Sequence, residues 1–133
     1  EEDFINSDAI KGNSFYAPDS FSKLKNKKIL NGDYDVFGDG TVVIKYYPGH
    51  TAGHQTLFLD LPNEGPTMLS GDIYHFEANR EKGIVPQFNY DIPESEASIK
   101  AFEEFVKEKN AKVYIQHDKG NFDSMPKSPN YLN

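Results

Sequence analysis

Hydrophobic positions along the chain fall into two kinds of pattern. Up to residue 70 they come in short runs of β-branched and aromatic residues. Tyr34-Asp35-Val36-Phe37 leads into Gly38-Asp39-Gly40, and Thr41-Val42-Val43-Ile44-Lys45-Tyr46-Tyr47 leads out of it. Two such runs around a glycine turn predict a β-hairpin. Gln55-Thr56-Leu57-Phe58-Leu59-Asp60-Leu61 predicts a third strand and Thr67-Met68-Leu69-Ser70 a short fourth, with turn chemistry between them at Pro62-Asn63-Glu64-Gly65-Pro66. Beyond residue 92 the period changes. Pro93-Glu94-Ser95-Glu96 has proline and acids suited to a first helical turn, and Ile99, Phe102, Phe105 and Val106 recur at helical spacing toward Lys109. Lys112-Val113-Tyr114-Ile115-Gln116 predicts a fifth strand. The stretch 74–91, with Gly83 and Pro86, and the tail, with Gly120, Pro126 and Pro129, read as irregular. Near the start, Pro18-Asp19-Ser20 ahead of Phe21 and Leu24 predicts a short capped helix whose basic end, Lys25 to Lys28, is solvated. Strands, then a packed helix, then a return strand predict one sheet with helices on one face.

Composition narrows what such a layer can be. At 133 residues the chain suits one domain or part of one, and with 37% hydrophobic and 14% aromatic residues it is too apolar for a disordered tail. Lys and Arg number 14 against 21 Asp and Glu, a net charge of −7, which disfavours nucleic acid as a partner. There is no cysteine, so disulfides, thiolate–zinc sites and cysteine nucleophiles are excluded, while the compartment, cytoplasmic or periplasmic and secreted, stays open. No apolar run is long enough to span a bilayer, so no membrane partner is expected. The sequence starts at Glu1 without an initiator Met or a leader pattern, and is expected to begin inside a longer gene product.

Candidate chemistry collects at the ends of strands. Of four histidines, His50 follows the second predicted strand, His75 follows the fourth together with Asp72, and His117 ends the fifth. Loops at strand ends are where sheets present functional groups, and imidazole with carboxylate suits zinc, iron, cobalt or manganese. His50, Asp72 and His117 could therefore converge on a metal; the alternative is half-buried, hydrogen-bonded histidines with no ligand. Three such groups can hold one catalytic zinc but cannot build a closed pair of metals. Neither a G-x-S-x-G elbow nor a phosphate-binding glycine loop is present.

Pro48-Gly49-His50-Thr51-Ala52-Gly53-His54 resembles the G-H-T-x-G-H motif of the metallo-β-lactamase superfamily. Ser70-Gly71-Asp72 is similar to that superfamily's metal-bridging aspartate motif, and Gln116-His117-Asp118 to its last histidine ligand. The stretches 49–61 and 69–88 resemble the N-acyl-homoserine lactonase branch, and the likeness extends over residues 34–131. The resemblance implies an α+β fold, the metallo-β-lactamase αββα sandwich, of which residues 1–133 would be the C-terminal βα half, one mixed sheet with helices on its outer face. It implies two divalent metal ions, zinc foremost, with His50 on the first, His117 on the second and Asp72 bridging them. It also implies a hydrolase that opens N-acyl-homoserine lactones or related lactones through attack by a metal-bridging hydroxide. The superfamily's H-x-H-x-D-H motif is missing from the sequence, so an N-terminal half of the same protein is the expected partner and the isolated chain is expected to be inactive. Lactonases of this type usually carry a tyrosine three positions after the bridging aspartate. Here that position is His75, with Tyr74 before it, so either could be the group that polarises the lactone carbonyl. His54 is expected to orient the loop, and Gly49 and Gly53 to shape the turn that aims His50. Two alternatives stand beside this reading: a thioester hydrolase of the glyoxalase II type, for which Arg80 and Lys82 would meet an anionic thiol carrier, and a non-catalytic half-domain that binds a partner chain.

Overall fold

The structure, a computed structural model, describes residues 25–133. The chain divides into two compact units, Glu1–Asn31 and Gly32–Asn133. Of the first, residues 25–28 are exposed and not helical; the cap predicted at Asp19 or Ser20 lies outside the described residues.

In the second unit, strands β1 (Tyr34–Asp35), β2 (Val42–Tyr46), β3 (Gln55–Leu61), β4 (Gly65–Leu69) and β5 (Lys112–Tyr114) form one sheet in the order β1-β2-β3-β4-β5. The first three pairings are antiparallel and β4 pairs with β5 in parallel, so the sheet is mixed as expected. The predicted hairpin is present, closed by Asp35, whose carboxylate accepts hydrogen bonds from the amides of Gly38 and Gly40, both 2.8 Å. A 3-10 turn, Gly71–Ile73, follows β4. Helix α1 (Glu77–Lys82), helix α2 (Ile92–Lys109) and helix α3 (Lys119–Ser124) complete the unit.

Helix α2 begins where the carboxylate of Asp91 accepts from the Glu94 amide at 2.8 Å, with Pro93 tolerated because the first-turn amides need no intrahelical acceptor. It stops at Asn110, which takes the left-handed conformation (φ 51°). Its buried stripe is Ser95, Ser98, Phe102 and Val106. Phe102 is fully buried and meets the rings of Tyr47 and Tyr74 edge-on at 5.6 and 5.9 Å. From the sheet, Phe58 and Met68, directly opposite each other on β3 and β4, enter the same core with Ile115.

Because side chains alternate across a strand, the residues next to these point to the other face. Ile44, Leu57 and Leu69 stand side by side there by register, half-buried around a hollow of about 280 Å³ that Gln55 and Gln116 also line. Ile44, Leu57 and Leu69 make the middle of this face apolar, with Gln55 and Gln116 at its margin.

Two stretches read as irregular are helical. Helix α1 sits inside 74–91, where a six-residue helix is too short to show a period; Asn79 accepts from the Phe76 amide at its start, and Gly83 closes it in the left-handed conformation. Helix α3 runs through Gly120 because the Asp118 carboxylate caps it, accepting from the Asn121 amide at 2.9 Å.

Truncating Phe102 to Ala removes the ring that joins α2 to the sheet. It is expected to cost about 3–5 kcal/mol of unfolding free energy in urea titrations of the full-length protein; a loss below about 1 kcal/mol would show that the packing is not set at this residue.

Candidate metal centre

Strand direction places the site. β2, β4 and β5 run the same way, since β3 is antiparallel to both β2 and β4, and β5 is parallel to β4. The segments that leave these three strands therefore emerge at one end of the sheet, and they carry His50, Asp72 with His75, and His117. His54, just before β3 enters, lies at the same end.

Three of the expected residues meet. Nε2 of His117 lies 2.8 Å from one carboxylate oxygen of Asp72, and Nε2 of His50 lies 3.5 Å from the other. Asp72 sits in the 3-10 turn at φ −96°, ψ 21°, the sparsely populated bridge region where active-site residues often occur. Side chains of His117 and Asp72 are exposed, and that of His50 is largely buried.

Each group is aimed by its neighbours. His50 Nδ1 donates to the side-chain oxygen of Asn89 at 3.0 Å, so that in the neutral ring the lone pair is on Nε2, which is turned toward Asp72. Asn89 is held by its own amide on Ser95 Oγ at 3.0 Å, and Ser95 donates to the Asp91 carbonyl at 2.6 Å. The His50 loop is fixed through its backbone: the Asp91 amide donates to the Gly49 carbonyl at 3.0 Å, Tyr90 to that of His50 at 3.1 Å, and Ser98 Oγ to that of Pro48 at 2.6 Å. Gly49 (φ 127°) is backed so closely onto α2 that a Cβ there would collide with the backbone and hydroxyl of Ser95. On the Asp72 side, the Ser70 amide donates to the Tyr114 carbonyl at 3.0 Å and Ser70 Oγ reaches Gln116 at 3.1 Å, joining the exits of β4 and β5. Asp118 bears no ligand geometry; its carboxylate caps α3 and accepts from the Glu77 amide at 3.1 Å.

His54 is buried and is no donor to the cluster centre. Its Nδ1 bonds the Tyr47 carbonyl and its Nε2 the Asp72 amide, both at 2.8 Å. Burial pushes its pKa below the ordinary value. His75 lies beside the cluster: its ring stacks on His117 (5.6 Å, 18°) and meets His50 and Phe88 edge-on, each at 5.5 Å. Its Nδ1 is buried with no hydrogen-bond partner, and desolvation lowers its pKa against the pull of the Asp72 charge, favouring the neutral ring.

The expectation that Tyr74 could serve the site is corrected. Tyr74 is almost fully buried, and its hydroxyl donates to Glu103 on α2 at 3.0 Å. Successive residues here turn to opposite sides, so with His75 at the cluster Tyr74 faces the core. Desolvation, then the Glu103 charge, drives its pKa far above the ordinary phenol value. The same carboxylate takes a two-pronged bond from Arg80, at 2.8 and 3.0 Å. Partial burial pushes the Glu103 carboxyl up, but the bond and charge of Arg80 together with the Tyr74 bond bring it below the usual value.

The donor set suits divalent cations in part. A carboxylate with one imidazole nitrogen at each oxygen offers two donors to each of two adjacent positions, and the bare Nε2 of His50 is the form that binds metal. Among the described residues no group of three or more His, Asp or Glu has the geometry to hold an ion by itself. Sequence reasoning missed Asn89, Ser95 and Phe88. The first two carry no motif, although buried serines at helical spacing in α2 mark where a loop packs close.

No protein-family profile matches the chain. Among curated proteins, N-acyl homoserine lactonase AttM of Rhizobium radiobacter is 31% identical over 108 residues, covering 78% of this chain and 41% of the relative. N-acyl homoserine lactonase AiiA of Bacillus thuringiensis subsp. kurstaki is 34% identical over 93 residues, 70% of this chain and 36% of the relative. Among solved structures, a quorum-quenching N-acyl homoserine lactone hydrolase superposes with TM-score 0.81 at 31% identity, covering 93% of this chain and 50% of that one. The chain thus spans about two fifths of the length of the curated relatives it matches.

Replacing Glu103 by Gln tests the network that turns Tyr74 inward. A depressed carboxylate stabilises the fold above its unfolded pKa, near 4.5, and the contribution is lost as pH falls through the folded value. The melting-temperature deficit of Glu103→Gln relative to wild type should therefore be largest near neutral pH and shrink below about pH 4.5; a deficit constant with pH would show that the charge is not what stabilises. By sequence and by fold, the chain is a lactonase-like part of the metallo-β-lactamase fold, related to the N-acyl homoserine lactonases.

Proposed function

We propose that the protein carrying this chain is a metal-dependent hydrolase that opens the ring of N-acyl homoserine lactones or related lactones, and that this chain is the C-terminal half of its catalytic domain. The observation that carries the reading is the placement of His50 and His117 on opposite oxygens of Asp72. The relatives support the substrate class: one similar structure, 31% identical, is described as an N-acyl homoserine lactone hydrolase with the product N-hexanoyl-L-homoserine at its catalytic metal centre.

In this reading His50 with Asp72 would hold one divalent ion, and His117 with Asp72 a second. Zinc is the first candidate; iron, cobalt and manganese also match imidazole and carboxylate donors. Bound there, the ions would supply an activated water and Lewis-acid polarisation of the lactone carbonyl. The remaining work falls to the chain's own residues. Asp72 would place negative charge between His50 and His117, where the ions would sit. Asn89 keeps the proton of His50 on Nδ1 and its lone pair on the site. His75 faces the same opening as a neutral ring, and an N–H of this ring is the donor that holds charge developing on the carbonyl oxygen, a role Tyr74 cannot take from its bond to Glu103. The other metal donors, and cover for the face of Ile44, Leu57 and Leu69, come from the N-terminal half of the protein. The thioesterase alternative is less well supported, because Arg80, one of its two candidate anion contacts, is committed to Glu103.

In the full-length protein, Asp72→Asn should abolish most lactone turnover and weaken divalent-ion binding while the fold persists, because an amide lacks the charge and the second anionic oxygen. Retained turnover in that variant would refute the site. His75→Phe should lower kcat by about 10²–10³ if the ring donates to the carbonyl oxygen, and an unchanged kcat would remove that role. Thioester turnover without lactone turnover would decide for the alternative, and neither activity together with no metal would decide for the non-catalytic half-domain.

A further inference from the structure

We infer that His54 is a positioning residue for the bridging carboxylate: its ring is a rigid strut that ties the loop bearing His50 to the turn bearing Asp72, and so sets where Asp72 stands between His50 and His117. The inference rests on the metal-site reading above and adds a residue to it.

Three observations carry it. The two ring nitrogens of His54 have partners of opposite kind. Nδ1 lies 2.8 Å from the Tyr47 carbonyl, which can only accept, so Nδ1 carries the proton. Nε2 lies 2.8 Å from the Asp72 amide, which can only donate, so Nε2 is bare. One tautomer satisfies both bonds, and the ring spans from the end of β2 to the turn after β4. Second, the ring is buried, so neither bond has water to replace it. Third, the turn is shaped to receive the ring. Gly71 has φ 54°, and a Cβ there would stand 2.7 Å from His54 Nε2 and 2.8 Å from the Gln55 carbonyl. Any side chain at 71 would displace the strut from the amide it holds. With that amide fixed, the Asp72 carboxylate has only its own side-chain torsions left to adjust.

The test uses the full-length protein and separates the two bonds. Glutamine at 54 places an amide oxygen near the position of Nε2 and can still accept from Asp72. Asparagine places an amide nitrogen near Nδ1 and can still donate to Tyr47 but does not reach Asp72. Zn²⁺ affinity, read by competition with a chromogenic chelator, should fall about 10–100-fold in His54→Asn and by no more than about 3-fold in His54→Gln. The ligand-field spectrum of the Co²⁺-loaded protein should shift in the Asn variant and be retained in the Gln variant. In the metal-free wild type, imidazole ¹⁵N shifts at neutral pH should report the Nδ1–H tautomer. Equal losses in Asn and Gln, no loss in either, or the opposite tautomer would overturn the inference. Asp72→Asn in the same titration keeps the two ideas apart. If it leaves Zn²⁺ affinity unchanged, the metal site itself is wrong. If it weakens binding while His54→Asn does not, only the strut is.

Discussion

The parallel pairing of β4 with β5 is the constraint on which the site depends. An antiparallel return after α2 would have sent His117 to the far end of the sheet. The parallel return needs a long crossover, and the 18 residues of α2 supply it while covering one sheet face with Phe102 and Val106. The exits of β4 and β5 then lie side by side, and the Ser70–Tyr114 and Ser70–Gln116 bonds hold them there. Since β2 runs in the same direction, His50 arrives at the same end. Core packing and site assembly are thus two results of one topology, in keeping with the general placement of ligand sites outside the carboxyl ends of parallel strands.

Much of this was legible in the residues. β3 was readable to the residue because a short apolar run, Leu57-Phe58-Leu59 with Leu61, is bounded nearby by Gly53 and Pro62. The stripe of Ile99, Phe102 and Val106 announced α2, whose observed start precedes the expected one because Asp91, not a later residue, is the cap. The three motif residues His50, Asp72 and His117 were found because motif spacing survives where contact geometry cannot be seen. Helices α1 and α3 were not legible: each is barely more than a turn and a half, shows no period, and is closed by one local side-chain cap, Asn79 on the Phe76 amide and Asp118 on the Asn121 amide. Asn89 was hidden for a different reason, since its value comes from a contact with His50 across 39 residues.

Tyr74 and His75 show how a one-residue offset decides chemistry. The backbone leaving Asp72 is extended at Tyr74, so neighbouring side chains go to opposite sides. The phenol enters a buried polar triangle with Glu103 and Arg80, where its proton has one acceptor and little reason to leave. The imidazole is left at the opening, against His117 and Phe88. Of the pair, only His75 reaches the cluster, while Tyr74 packs in the core with its hydroxyl on Glu103.

The contact of Gly49 with Ser95 has a consequence for motion. Three carbonyls in a row, those of Pro48, Gly49 and His50, are bonded to α2 or the segment just before it, and no Cβ keeps the two apart. The loop bearing His50 is thereby tied to an 18-residue helix rooted in the core, so a displacement of His50 is expected to carry the start of α2 with it.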